Sequence, residues 1–180
     1  MEATEFKKLF KVTKPAKVGN DRLMEVAYHE AGHVLIDLIN GLPGTTITII
    51  PNKNIGSAGD HKNVWTEANC YDLSDYLFEN QIDDWSQQDE IEYLVSSLLA
   101  GIIAESFYSG KFNWMGAEND FNRILDVFIS YMIFDIPDLQ PYWDKSFQVV
   151  NDNLKLLQKI AADLYEQKTL TSQYFKNLKV

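Results

Sequence analysis

Apolar positions recur along this chain with a helical period in four long stretches and crowd into one short β-branched run. The first stretch, residues 21–40, carries Val26, Ala27, Val34, Leu35, Ile36, Leu38 and Ile39. It is apolar nearly all round, which predicts a buried helix rather than one lying on a wet surface. Asn20 or Asp21 offers an N-cap, and Gly41-Leu42-Pro43-Gly44 stops the helix. A second helix is predicted over 88–108, with Ile91, Leu94, Val95, Leu98, Leu99, Ile102 and Ile103 on its buried side. A third is predicted over 117–134, through Ala117, Phe121, Ile124, Leu125, Phe128 and Met132, and a fourth over 151–168, through Leu154, Leu157, Ile160, Ala161 and Leu164. Shorter helices are expected at 71–80 and 143–150, and Thr171 is placed to cap a terminal one.

Between the first two helices, residues 45–50 are dense in β-branched side chains and read as a strand ended by Pro51. Asn52-Lys53-Asn54 makes a turn, and residues 55–59 return as a glycine-rich second strand. Two short strands are marginal alone, so this ribbon must pack on the helices. It serves equally as a structural hairpin or as an edge to which an extended peptide adds a strand. Residues 1–19, closing with Pro15 and Gly19, read as an arm preceding a single domain over 20–180. The expected fold is mainly α, a helical bundle with a small β-ribbon packed beside it.

Composition narrows the partners. The 180 residues are 46% hydrophobic, enough for one globular core. A net charge of -10, from 16 Lys+Arg against 26 Asp+Glu, repels a phosphate backbone and argues against nucleic acid or an anionic membrane surface. Cys70 is the single cysteine, so any metal must be held by histidines and carboxylates. Residues 1–14 lack the apolar core of a signal peptide, and the longest apolar run, 94–104, is too short to span a bilayer. A soluble, cytoplasmic protein without membrane insertion is expected.

The first helix carries the chemistry. His29-Glu30-Ala31-Gly32-His33 places two imidazoles four residues apart, displaced by only about 40° and about 6 Å on a helix, so both can grip one ion. This is the H-E-x-x-H arrangement of zinc hydrolases, with Glu30 as general base. The bland alternative, two polar residues one turn apart on a helix surface, conflicts with the apolar flanks. Glu105 continues the apolar stripe of the second helix, so it is a metal ligand, a carboxylate backing a ligating histidine, or an edge residue reaching water. Asp120 lies at the edge of the third stripe, where an acid in the first helical turn is favoured by the dipole in any case. His61, in polar and turn-like Asp60-His61-Lys62-Asn63, reads as a solvated loop histidine.

Several separated segments resemble the proteolytic domain of the FtsH-type, ATP-dependent zinc metalloproteases. Val26-Ala27-Tyr28-His29-Glu30-Ala31-Gly32-His33 is similar to that family's zinc helix, and Thr48-Ile49-Ile50-Pro51 to the strand after it. Gly101, Ala104 and Glu105 fall where the family has Gly-Arg-Ala-Ala-Glu, and Gly116-Ala117-Glu118-Asn119-Asp120 resembles its Gly-Ala-x-Asn-Asp motif. The likeness runs in order over residues 21–180. It implies Asp120 as the third zinc ligand beside His29 and His33, Glu105 as a residue behind the ligands, and a tendency to homo-oligomerise. Departures accompany it: there is no Gly-x-x-x-x-Gly-Lys-Ser/Thr loop, Ile102 and Ile103 replace an arginine and an alanine, Trp114 and Met115 replace small hydroxyl residues, and 59–86 does not align.

The expected function is that of a stand-alone zinc metallopeptidase acting on flexible or unfolded polypeptides, with a separate ATPase or adaptor as a partner that would supply substrate. The alternative is a catalytically silent interaction or regulatory module that keeps the fold and the metal. The intact Glu30 opposes the alternative, because a structural zinc site needs no base.

Overall fold

The computed structural model describes residues 2–51, 58–63, 68, 72–82 and 84–178. The chain enters the fold through its first residues. Helix α1 (Ala3–Phe6) and a 3₁₀ turn at Lys7–Leu9 bring Phe6 and Phe10 into the core. Phe6 stacks on Phe121 with ring centroids 4.5 Å apart, and Phe10 lies 4.6 Å from Trp143. The stretch read as a preceding arm therefore shares the hydrophobic cluster of the domain.

Asp21 opens the first long helix, α2 (Arg22–Ile39), by accepting the backbone N–H groups of Leu23 and Met24 at 2.9 and 3.0 Å. Strands β1 (Ile47–Thr48) and β2 (Asp60–His61) follow, then α3 (Leu73–Glu79), capped by Asp72. Helix α4 (Gln87–Ser109) starts in a reciprocal capping box between Ser86 and Asp89 and stops at Gly110 in the left-handed conformation. Then come α5 (Glu118–Ser130), α6 (Gln140–Asp152), α7 (Leu154–Gln167), β3 (Thr169–Leu170) and α8 (Ser172–Lys176). The protein is mainly helical with one small antiparallel sheet, as its periodicity predicts. Helix α6 begins three residues earlier than expected because Pro141 fits the first turn, where its missing N–H leaves no bond unmade.

Helices α2 and α4 form the centre, with α7 on α2 and both α5 and α6 on α4. Two glycines set how closely the central pair approaches. A Cβ on Gly32 would meet the Ala100 carbonyl and lie 2.7 Å from the Ala104 Cβ. A Cβ on Gly101 would lie 2.7 Å from the Nε2 atoms of both His29 and His33. The α4 backbone thus runs directly beneath the two imidazoles. At 23 residues α4 is long and apolar enough to cross a membrane, but 78% of its most apolar window is buried inside the fold.

The sheet differs from the predicted ribbon. Its strand order is β2-β1-β3, with Ile47 opposite both His61 and Leu170. The returning strand is Asp60–His61, not 55–59: residues 58 and 59 are not strand, and 55–57 lie outside the described residues. The third strand comes from beyond α7, so β1 is central and β2 forms an edge. That pairing joins residues over a hundred positions apart, which a local alternation pattern does not register.

Candidate metal centre

One turn of α2 and the first turn of α5 meet over Gly101. His29 and His33 project from α2, and Asp120 projects from α5. The His29 Nε2 lies 3.0 Å from the Asp120 Oδ2, and the His33 Nε2 lies 3.8 Å from the same oxygen. One donor atom from each of the three residues falls within 4.8 Å of the others. Two imidazole nitrogens and a carboxylate oxygen converging at this spacing could hold a metal ion. His33 and Asp120 are buried, and the Phe6–Phe121 stack fixes α5 one residue from the carboxylate.

Each imidazole is held from behind. The His33 Nδ1 donates to the Ser97 carbonyl oxygen at 2.8 Å, which leaves the lone pair of Nε2 facing Asp120. The His29 Nδ1 lies 3.4 Å from the Glu105 Oε2. Glu105, only 3% exposed, is in turn gripped by the Arg22 guanidinium at 3.1 Å. The buried acid on the α4 stripe therefore backs a histidine; among the three readings open in the sequence, it takes the second. Arg22 was missed there, although it stands seven residues before His29 and so on the same helix face.

Glu30 lines the same cavity of about 660 Å³, together with His29, His33, Asp120, His61 and Arg123. Gly59, just before β2, presses against the Glu30 carboxyl so closely that a Cβ there would overlap it. Burial pushes the Glu30 carboxyl up to about 7 against the opposing pull of the His29 charge. Burial likewise drives the His33 ring down to about 3, so it is neutral in this protein at ordinary pH. Burial would lower the His29 ring too, but the Asp120 and Glu105 carboxylates more than offset it and hold that ring well above its usual value. Asp120 is raised by burial yet ends below the ordinary carboxylate range because both histidines face it. A cation entering here must displace the proton shared between His29 and Asp120.

His61 is not a solvated loop residue. Its Nε2 donates to the Asp37 Oδ2 at 3.0 Å, and its ring lies parallel to that of His33 with centroids 5.5 Å apart. Asp37 is fully buried and also accepts the Tyr93 hydroxyl at 2.7 Å. This chain of α4, α2 and β2 fixes the edge strand beside the metal centre. The pattern that could have revealed it is the one applied to Glu105. Asp37 is an acid on an otherwise apolar helix, four residues beyond His33, and so demands buried partners. Trp114, noted as a departure in size, fills the aromatic cluster with Phe121 and Trp143, while Met115 is exposed at the cavity.

Compared with protein-family models and with curated proteins, the chain matches none.

Proposed function

We propose that this chain is a zinc metallopeptidase, related to the proteolytic domain of the FtsH-type proteases, that hydrolyses peptide bonds in flexible or unfolded polypeptides. The observation that carries the reading is the convergence of the His29 and His33 nitrogens with an Asp120 oxygen in one cavity that Glu30 also lines. Two imidazoles and one carboxylate form a zinc donor set with a fourth position left for water or substrate. Zinc held there supplies Lewis acidity, which polarises a carbonyl and lowers the pKa of bound water to about 7.

The chain's own groups supply the remainder. Ser97 and Glu105 fix the two rings by their outer nitrogens, so the inner ones present their lone pairs at a set angle. The Glu30 carboxylate accepts the proton of the attacking water and returns it to the leaving amine nitrogen. A carboxyl held near neutrality suits both halves of that transfer, because it gains and loses a proton with little bias. The rim strand β2, braced by Asp37, offers main-chain groups along which an extended peptide can align.

The reading predicts protein that binds zinc in a one-to-one ratio and cleaves a loosely folded polypeptide. Glu30→Gln should keep the zinc and lose cleavage by about 10²–10⁴-fold. Zinc-loaded protein that leaves a broad peptide library intact would refute the peptidase reading and leave a binding module.

A further inference from the structure

A second cavity, of about 500 Å³, lies against the first. His33, His61 and Arg123 line both, so a single layer of side chains joins the metal centre to this cleft. Its character differs from that of the first. Leu94 and Leu98 of α4, Val127 and Tyr131 of α5, Leu73 of α3 and Tyr93 give it broad apolar walls. Charged groups, including the exposed Asp126, stand at its rim. Apolar walls with a few polar groups are the usual make-up of a cleft that takes an apolar group, and this volume falls in the about 300–1,000 Å³ range of ligand pockets.

Its walls are also firmly held. Tyr93 is tied to buried Asp37, Tyr131 donates its hydroxyl to Glu90 at 2.5 Å, and Ser74 of α3 donates to the same Glu90 carboxylate at 2.7 Å. These bonds join α3, α4 and α5 around the cleft. The cavity is thus a shaped recess between braced elements, reached from the metal centre past His33 and His61.

We infer that this cleft is the specificity pocket of the chain, and that it receives one large apolar side chain, aromatic or long aliphatic, of the polypeptide residue beside the bond to be broken. The inference rests on the peptidase reading for the position of that bond, but the recess and its chemistry stand apart from catalysis. A small side chain leaves the Leu94, Leu98 and Val127 surfaces wet, and a charged one must leave water to enter. A phenyl or isobutyl group fills the recess without either penalty. Peptides rich in large apolar residues, as exposed by unfolded chains, are then the preferred substrates.

The test measures binding and cleavage separately. Blocked peptides Ala-Ala-X-Ala, with X as alanine, leucine, phenylalanine or aspartate, are titrated calorimetrically into zinc-treated Glu30→Gln protein, which does not consume them. Phenylalanine or leucine should bind at least about tenfold tighter than alanine, and aspartate weakest. Val127→Trp, which fills the cleft from the α5 side, should reduce the phenylalanine-to-alanine ratio to below about twofold. Leu94→Ala, which widens it, should reduce the ratio for leucine more than for phenylalanine. Equal affinity for all four peptides, or a preference that survives Val127→Trp, overturns the inference. Cleavage of the same peptides by wild type is mapped by mass spectrometry. Selective binding without cleavage keeps the pocket and removes the peptidase reading, whereas cleavage with no apolar residue at a constant position removes the pocket alone.

Discussion

Replacing Glu30 by glutamine should make the metal-stripped protein more stable while abolishing its proposed chemistry. The carboxyl is buried between α2, Gly59 and the histidine pair, and burial raises it from an ordinary 4.5 to about 7. A folded-state value above the unfolded one means that Glu30 is protonated in both states below about pH 4.5 and imposes no penalty there. As pH rises toward 7 only the unfolded chain ionises fully, so stability falls; above 7 the whole difference stands. At about 1.4 kcal/mol per tenfold change, that difference is about 3 kcal/mol. Glutamine has nearly the same shape and no proton to lose, so the penalty disappears. Urea unfolding followed by tryptophan fluorescence, in chelator, between pH 4.5 and 8.5, measures it directly. The two proteins should be nearly equal at pH 4.5, with the variant ahead by about 3 kcal/mol at pH 8.5. His29, held protonated by Asp120 and Glu105, also loses stabilising influence as pH rises, but it does so in both proteins and largely cancels in the comparison. A variant no more stable than wild type at pH 8.5, or a difference that does not grow with pH, would refute the reasoning.

Three further substitutions probe the scaffold of the site. Gly101→Ala should abolish metal binding in equilibrium dialysis while retaining helical circular dichroism, because its methyl would sit 2.7 Å from both imidazole Nε2 atoms. Asp120→Ala should remove measurable zinc affinity, whereas Glu105→Ala should weaken it about 10–100-fold, since the first takes away a donor atom and the second only the group behind one. Asp37→Ala should destabilise the fold by about 3 kcal/mol in chemical denaturation, because it strands the Tyr93 hydroxyl and the His61 N–H in the interior; Tyr93→Phe, which leaves the His61 bond in place, should cost about 1 kcal/mol.

The helices were legible because their signal is local. The apolar stripes of α2, α4, α5 and α7 repeat every three to four residues, and the ends of α2 and α4 are written in Asp21 and in Ser86 with Gly110. The two imidazoles could be paired for the same reason, since four residues on a helix is a fixed distance. What was hidden depends on contacts across the chain. Nothing near His61 announces that Asp37, 24 residues earlier, will draw it out of solvent. Nothing in Thr169-Leu170 announces a strand until β1 lies beside it. Phe6 and Phe10 read as single aromatics in a polar arm until Phe121 and Trp143 supply the faces they stack on. Asp120 stood between: its helix was predictable, but only the meeting of α5 with α2 distinguishes it from the other acids.

The carboxylate of Asp37 holds two protons that belong to different elements, one on the Tyr93 oxygen and one on the His61 nitrogen. Both are shut away from bulk water, so both should exchange slowly enough to give separate downfield proton resonances. The His61 ring lies parallel to His33, and its proton therefore feels the electronic state of the neighbouring imidazole. The brace that steadies the edge strand doubles as an intrinsic spectroscopic gauge. Filling of the metal centre can be followed through it, in the unlabelled protein, without touching any donor atom.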